Sequence, residues 1–304
     1  MACFYPLIAF RGPVGKSGKA SVVFDKRKAI SFKELELPCG QCIGCRLERS
    51  RQWAVRCVHE AQLHSENCVV TLTYSNDFLP SDESVHVEHF QNFMKYLRKA
   101  IYPRKVRFFH CGEYGKESVD ADTGEYFPAR PHYHACLFGY DFEDKVEVGK
   151  SKTGTPLYTS KFLEKLWTKG ISKIGVLDFE SAAYVARYIT KKVTGDGASE
   201  HYGDRKPEYI TMSRRPGIGS GWYDKFSSDV FPNDMVVVRG SVARPPKFYY
   251  SRLEQVDPAL FALIKAERER DESWQERDAR RDHLSVDEEV TRARMRRYSR
   301  SLEA

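Results

Sequence analysis

The hydrophobic positions between residues 67 and 195 fall into short strand-like runs and longer runs with helical spacing. Runs of β-branched and aromatic residues predict four strands, at residues 68–74, 105–111, 131–139 and 171–177. Apolar residues three and four apart predict helices, the first through Phe90, Phe93, Met94, Leu97 and Ile101 and the others at 162–167 and 180–193. Gly170 and Gly195 follow the second and third helices as stop signals.

The predicted elements follow the order strand, helix, strand, strand, helix, strand, helix. This order favours an antiparallel sheet with helices packed on one side, the α+β class. We divide the chain into a cysteine-rich N-terminal segment packed on this core, the core itself, a basic turn-rich extension and a charged tail that is helical or partly disordered. These segments are residues 1–66, 67–195, 196–264 and 265–304.

Charge changes this picture only slightly. The 304 residues are 41% hydrophobic and 30% charged, a globular balance that argues against wholesale disorder. The tail holds 11 basic and 11 acidic residues, so the net charge of +7 belongs to the first 264 residues. A modest positive excess suits a polyanionic partner, although many basic proteins bind no nucleic acid.

The sequence predicts an intracellular protein. No apolar run approaches the roughly 20 residues of a membrane span, and the N-terminus lacks the pattern of a secretory signal. Thiols stay reduced inside cells, so the eight cysteines need an explanation other than disulfides.

Two histidines on the third predicted strand, His132 and His134, are two residues apart and therefore lie on one face of that strand. Such a pair can bind one divalent ion, and two unrelated surface histidines are the other interpretation. Glu113 lies just past the strand at 105–111, beside the histidines if the two strands form a hairpin. A carboxylate there would favour Mg²⁺ or Mn²⁺, although an ordinary solvent-facing glutamate fits the spacing equally well.

Two tyrosines of the last predicted helix, Tyr184 and Tyr188, are four residues apart and share one helix face. The hydroxyl of tyrosine has a free pKa of about 10 and is a poor nucleophile at neutral pH, but a nearby cation makes it usable on a phosphate. Lys191 and Lys192 could reach the same face and neutralise phosphate charge. Aromatic pairs at this spacing also pack helices, so the tyrosines alone leave both interpretations open.

Three cysteines, Cys39, Cys42 and Cys45, form overlapping Cys-x-x-Cys pairs, a spacing typical of metal binding in reducing compartments. A tetrahedral zinc ion needs a fourth ligand, and Cys57 and His59 are candidates. An iron–sulfur cluster, or small buried residues without metal, are the alternatives. The cysteines of the predicted strands are assigned to the core: Cys68, Cys111 and Cys136.

Together, a strand with His-hydrophobic-His and a helix with Tyr-x-x-x-Tyr about 50 residues later resemble the rolling-circle replication initiators of the HUH endonuclease fold. Tyr-Val-Ala-Arg-Tyr at 184–188 is similar to the two-tyrosine motif of the microviruses, small icosahedral phages with single-stranded DNA. The gokushovirus subgroup is resembled by the N-terminal Met-Ala-Cys-Phe-Tyr-Pro and by residues 37–46, 71–74 and 213–219. The resemblance extends to about residue 225.

This resemblance implies a metal-dependent, site-specific DNA endonuclease and strand transferase with an RRM-like sheet. His132, His134 and Glu113 would bind Mg²⁺ or Mn²⁺, and Tyr184 and Tyr188 would be paired nucleophiles that form a 5′-phosphotyrosine link and later rejoin strands. By the same resemblance, Cys3 is the first choice for the fourth ligand of a structural Zn²⁺.

The implied partners are single-stranded viral origin DNA, a host helicase and the replicative DNA polymerase, in the cytoplasm of the bacterial host cell and without a membrane. The sequence lacks a Walker loop, so duplex opening is assigned to a partner. Four arginines are candidate DNA contacts: Arg107, Arg130, Arg214 and Arg215. The rivals are a non-catalytic RRM-like module that binds single-stranded nucleic acid, and a single-tyrosine nuclease of the same fold.

Overall fold

The structure is a computed structural model that describes residues 3–16, 18–115, 118–119, 126–127, 129–151, 154–187, 197–270 and 274–297. The described residues form two compact units. The first unit lies within residues 1–49 and 268–298, and the second lies within residues 50–267. Among the described helices, none is long and apolar enough to cross a lipid bilayer.

The strands and helices are numbered in chain order. The strands are β1 (Leu7–Val14), β2 (Ala20–Val23), β3 (Ser31–Leu37), β4 (Asn67–Thr73), β5 (Arg107–Tyr114), β6 (Ser118–Val119), β7 (Tyr126–Phe127), β8 (Pro131–Phe138), β9 (Val146–Lys150), β10 (Pro156–Thr159), β11 (Ser172–Val176), β12 (Tyr209–Met212), β13 (Val236–Val238) and β14 (Ser241–Ala243). The α-helices are α1 (Ile43–Ala61), α2 (Val87–Ala100), α3 (Lys161–Leu166), α4 (Phe179–Arg187), α5 (Ala198–Tyr202), α6 (Ser220–Val230), α7 (Lys247–Val256), α8 (Pro258–Arg270) and α9 (Trp274–Arg297). Short 3-10 helices lie at Lys26–Lys28 and Asn76–Phe78.

A seven-stranded sheet organises the second unit, with the strand order β12-β5-β8-β4-β11-β10-β9. All neighbouring pairs in this sheet are antiparallel. The α+β class and the antiparallel sheet predicted from the sequence are therefore confirmed. Strand β5 runs to Tyr114, so Glu113 lies inside this strand and not past its end, and it pairs directly with His132 of β8.

Helices cover both faces of this sheet, which corrects the expectation of helices on one side. One face packs against α2 and α3, through Val70 and Leu137 of the sheet and Phe93 of α2 among others. The opposite face, which we call the histidine face, packs against α1 and α4, with Val69 and Phe109 in its cluster. The physical reason lies in β4, whose successive residues Cys68 to Val70 are all apolar and are buried on alternating sides.

A third cluster of the second unit forms against the other side of α1. Its buried members come from α1, α6, α7, α8 and the β13–β14 hairpin: Val55, Tyr223, Val230, Phe231, Val236, Tyr249, Leu253 and Ile264. Residues 196–264, which the sequence indicated as turn-rich, thus contain helices with apolar faces as well as turns.

The first unit combines a three-stranded antiparallel sheet, in the order β2-β1-β3, with α9 from the tail. The predicted helical tail is confirmed, and Glu288 and Arg292 form an ion pair one helical turn apart. Glu288 is nevertheless buried and hydrogen-bonds to Tyr5, so this part of the tail is not a purely solvated helix.

Candidate functional site

His134 stands at the centre of the histidine face, and both of its ring nitrogens have partners. Its Nδ1 lies 3.0 Å from Oγ1 of Thr71, which is the residue paired with it on β4. Its Nε2 lies 3.2 Å from Oε1 of Glu113 on β5. His134 and Glu113 are both buried. Three neighbouring strands therefore fix the orientation of one imidazole and one carboxylate.

His132 lies two residues earlier on the same face. Its Nδ1 is 2.6 Å from the carbonyl oxygen of Arg130, a contact that requires the proton on Nδ1 and so places the ring lone pair on Nε2. The His132 and His134 rings are parallel, with centroids 6.4 Å apart. Gly115 makes room for this ring, because a Cβ at that position would lie 3.0 Å from Cε1 of His132.

These residues suit a divalent cation in their chemistry. Two ligands at right angles around an ion, each about 2.1 Å from it, are about 3 Å apart. The 3.2 Å between His134 Nε2 and Glu113 Oε1 matches that spacing. Metal-binding histidines commonly hydrogen-bond through the other ring nitrogen, as His132 does to a carbonyl and His134 to a hydroxyl. A carboxylate among imidazoles shifts the preference towards harder ions such as Mn²⁺ or Mg²⁺.

Helix α4 brings Tyr184 to this site. A reciprocal cap sets the start of the helix: the Ser181 amide donates to Oδ1 of Asp178 at 2.7 Å, and the Asp178 amide donates to the Ser181 hydroxyl at 2.9 Å. The Ser50 hydroxyl of α1 donates to the Ala183 carbonyl at 3.0 Å. The Tyr184 ring then meets the His134 ring edge to face, with centroids 5.4 Å apart. Tyr184 is 4% exposed, so access to a DNA strand requires an opening of the residues around it.

The other predicted residues of the last helix lie outside the described part of the chain: Tyr188, Lys191 and Lys192. In the sequence, Tyr188 follows Tyr184 by four residues.

A hydroxyl network that the sequence did not predict lies on the opposite sheet face. Tyr133, between the two histidines, points away from them, and its hydroxyl is 2.6 Å from that of Tyr74. The same hydroxyl accepts the His86 amide at 2.8 Å. Burial raises the pKa of Tyr133 to about 12, so its hydroxyl stays protonated. Strand alternation gives the direction of Tyr133, but its partners come from distant segments with no signal in the local sequence.

The four candidate DNA-binding arginines differ in their surroundings. Arg107 donates to Glu60 and to the carbonyls of Pro216, at 2.9 Å, and Gly217, at 3.2 Å. Arg130 donates to the Asn76 side chain. The remaining two are exposed in the segment before α6: Arg214 and Arg215. Arg107 therefore has an internal role, whereas the exposed pair is placed for an external contact.

The predicted cysteine ligands come together in the first unit. The sulfur atoms of Cys3, Cys39, Cys42 and Cys45 all lie within 4.8 Å of one another. Of the alternatives considered for the fourth position, Cys57 packs in the core of the second unit, and His59 bonds the Tyr249 hydroxyl at 2.8 Å. The strand cysteines assigned to the core are buried, as predicted: Cys68, Cys111 and Cys136.

The fold and this site define a class, an α+β protein with a histidine–carboxylate site and a tyrosine on one face of an antiparallel sheet. A sequence-family model of the replication-associated protein ORF2 type matches residues 67–193. Replication-associated protein VP4 of Bdellovibrio phage phiMH2K is 29% identical over 92% of this chain and 82% of its own length. Replication-associated protein ORF2 of Spiroplasma virus 4 is 31% identical over 77% of this chain and 73% of its own length.

Replication-associated protein ORF4 of Chlamydia phage 1 is 30% identical over 75% of this chain and 55% of its own length. No solved structure matches the chain. From these relatives, the chain belongs to the phage replication-associated proteins, the microvirus-type rolling-circle replication initiators. Its role therefore lies in the initiation of viral DNA replication.

Proposed function

We propose that this initiator nicks single-stranded origin DNA by tyrosine attack and remains linked to the new 5′ end. The observation that carries the proposal is the contact of Tyr184 with His134, which is itself hydrogen-bonded to Glu113. A nucleophile candidate, an imidazole and a carboxylate thus meet on one sheet face, in a chain whose relatives are named replication-associated proteins. Packing alone would not need a buried carboxylate beside the histidine.

The reaction is a transesterification. The tyrosine oxygen forms a bond to the scissile phosphorus, and the bond from phosphorus to the 3′ oxygen breaks. One phosphodiester is replaced by another, so the link keeps the energy for later rejoining, and the free 3′-hydroxyl can be extended by a polymerase. Tyr188 would make the second cut while Tyr184 holds the first end, or the reverse, and the released 3′-hydroxyl would then close a circle.

The residues of the site have separate tasks in this scheme. When bound, Mg²⁺ or Mn²⁺ would draw charge from the scissile phosphate and help to orient it. His132, His134 and Glu113 would hold the ion, while Thr71 and the Arg130 carbonyl keep the two rings oriented. Lys191 and Lys192 would neutralise phosphate charge beside the tyrosines.

The remaining parts of the replication cycle would come from partners. In the host cytoplasm, a host helicase would open the duplex, because the sequence carries no Walker loop. The replicative polymerase would extend the 3′-hydroxyl.

The test is a cleavage assay on overlapping 3′-labelled oligonucleotides that together cover the viral strand, with Mg²⁺, Mn²⁺ or a chelator. We expect label on the protein in a denaturing gel, with one oligonucleotide and only with metal. The double variant Tyr184→Phe/Tyr188→Phe should form no adduct, and His134→Ala should lose metal-dependent cleavage. Tyr96→Phe is the matched control, because Tyr96 is 59% exposed on α2. Mass spectrometry of the adduct would identify the tyrosine used.

Two other outcomes would assign the chain to the rival classes. DNA binding without cleavage of any oligonucleotide, with either ion, would make it a non-catalytic binding module. A single Tyr→Phe variant that still completes both nicking and rejoining would make it a single-tyrosine nuclease.

A further inference from the structure

The four clustered cysteines of the first unit share a hydrogen-bonding pattern that stabilises thiolates. Backbone amides point at their sulfur atoms: Cys39 N–H at Cys3 Sγ at 3.2 Å, Cys42 N–H at Cys39 Sγ at 3.3 Å, and Cys45 N–H at Cys42 Sγ at 3.4 Å. The Phe4 amide adds a further donor to Cys42 Sγ, at 3.4 Å. Cys42 and Cys45 also flank the first helical residue of α1, where the helix dipole favours negative charge.

The spacing of the sulfur atoms matches a single tetrahedral ion. Zinc–sulfur bonds of about 2.3 Å place the four sulfurs about 3.8 Å apart, and the observed upper limit is 4.8 Å. A cluster of four irons binds each cysteine to a different iron, which separates the sulfurs further than one shared ion does. The geometry therefore favours one ion over an iron–sulfur cluster.

We propose that Cys3, Cys39, Cys42 and Cys45 bind one structural zinc ion. Binding replaces four S–H protons by four Zn–S bonds, and no electron is transferred. The site belongs to the first unit, and it does not depend on the nicking reaction proposed for the sheet of the second unit.

The surroundings of the cluster explain what the ion stabilises. Cys3 precedes β1, Cys39 follows β3, and Cys42 and Cys45 lie at the start of α1, so one ion joins three separate chain segments. The small sheet has few buried side chains, and none of the residues of β2 or β3 is buried. Where apolar burial is this small, a metal commonly supplies the missing stability.

The first test measures bound metal in the full chain, purified under reducing conditions and without added metal. We expect one zinc per chain by elemental analysis, and an intense visible absorption of tetrahedral thiolate coordination after replacement by Co²⁺. Loss of a partner of a ligand costs about 10–100-fold in metal affinity, so loss of a ligand in Cys42→Ser should weaken binding at least that much. Iron in place of zinc, or no uptake of zinc or cobalt, would overturn the proposal.

Matched variants separate coordination from a general effect on folding. Cys57→Ala removes a buried thiol outside the cluster and should keep the full zinc content. Cys39→Ser should lose zinc, whereas Cys39→His should regain it, because imidazole is also a zinc ligand. Equal zinc content in Cys39→Ser and the wild type would exclude Cys39 as a ligand.

A local readout tests the structural role. Removal of zinc from the wild-type chain should accelerate amide hydrogen exchange in β1 and β3 and leave β4, β5 and β8 unchanged, because the ion joins segments of the first unit only. Unchanged exchange in β1 and β3 after verified zinc removal would contradict a structural function.

Discussion

Tyr133 lies between the two histidines in the chain but anchors their strand from the opposite face of the sheet. Its hydroxyl contacts the Tyr74 hydroxyl and accepts the His86 amide. These partners connect β8 to the end of β4 and to the residue before α2. The side chain thus holds the strand that carries His132 and His134, without contact with a substrate.

We expect Tyr133→Phe to lower the free energy of unfolding by about 1–3 kcal/mol, because a buried amide and a buried hydroxyl lose a partner. Urea unfolding followed by tryptophan fluorescence would measure the change. The exposed Tyr96→Phe is the control and should remain within about 0.5 kcal/mol of the wild type. Equal stability of the two variants would mean that the network contributes nothing.

The sequence predicts part of this arrangement at the residue scale. The two-residue period of a strand places His132 and His134 on one face and Tyr133 on the other. The roles of Thr71 and Gly115 could not be predicted, because they depend on the register of β4 against β8 and on the close approach of a ring. Register is set by the tertiary packing of distant segments.

At the scale of elements, a buried carboxylate on α1 connects the helix to the sheet and to the segment before α6. Glu60 is 2% exposed, accepts from Arg107 of β5, and accepts the Gly219 amide at 2.7 Å. The Arg107 guanidinium also donates to the carbonyls of Pro216 and Gly217. One ion pair therefore fixes the positions of three segments.

Removal of this arginine should act on stability first. We expect Arg107→Ala to cost about 3–5 kcal/mol of unfolding free energy, because it leaves the Glu60 carboxylate buried and uncompensated. The exposed Arg214→Ala should stay within about 0.5 kcal/mol of the wild type. Urea unfolding of both variants at neutral pH makes the comparison. A stable Arg107→Ala variant with selectively weaker DNA binding would restore the original assignment of Arg107 as a DNA contact.

The elements that the sequence predicts best are those with strong apolar runs. Strands β4, β5, β8 and β11 match the four predicted runs to within a few residues. Strands β9 and β12 were missed, since β9 is exposed along its whole length and β12 has only four residues. The two-sided burial of the sheet was also missed, although the continuous apolar run in β4 indicates it.

At the scale of the whole molecule, the position of the positive charge matters more than its sum. The chain carries a net charge of +7, while the tail is neutral. The ends of the chain lie within one compact unit, which the local patterns of the sequence could not predict because no periodic signal links residues 1–49 to 268–298. Where DNA contacts the chain therefore requires measurement.

The double variant Arg214→Ala/Arg215→Ala should reduce the salt dependence of single-stranded DNA binding. Each lost phosphate contact lowers the slope of log K against log salt by about 0.7, so two contacts lower it by about 1.4. The control Lys95→Ala/Lys99→Ala removes the same charge from exposed positions of α2, which packs on the sheet face opposite the histidines. Equal slopes for both double variants would show that only net charge matters.

The stability of the molecule should fall in mild acid because of His59. This residue of α1 stacks on Trp222 and bonds the Tyr249 hydroxyl, and burial lowers its pKa to about 4. The unfolded chain takes up this proton near pH 6.5, so between these values the unfolded state binds more protons. The contribution is therefore fully present above pH 6.5 and is lost as the pH falls towards 4.

From pH 7 to pH 5, this residue alone should remove about 2 kcal/mol of unfolding free energy. The variant His59→Gln should lose correspondingly less over the same interval, because its side chain does not titrate. The variant His201→Gln, at an exposed position, should follow the wild type. Urea unfolding at both pH values, followed by the fluorescence of Trp222, measures all three chains at the packing contact itself. Parallel losses in the wild type and His59→Gln would assign the acid sensitivity to other groups.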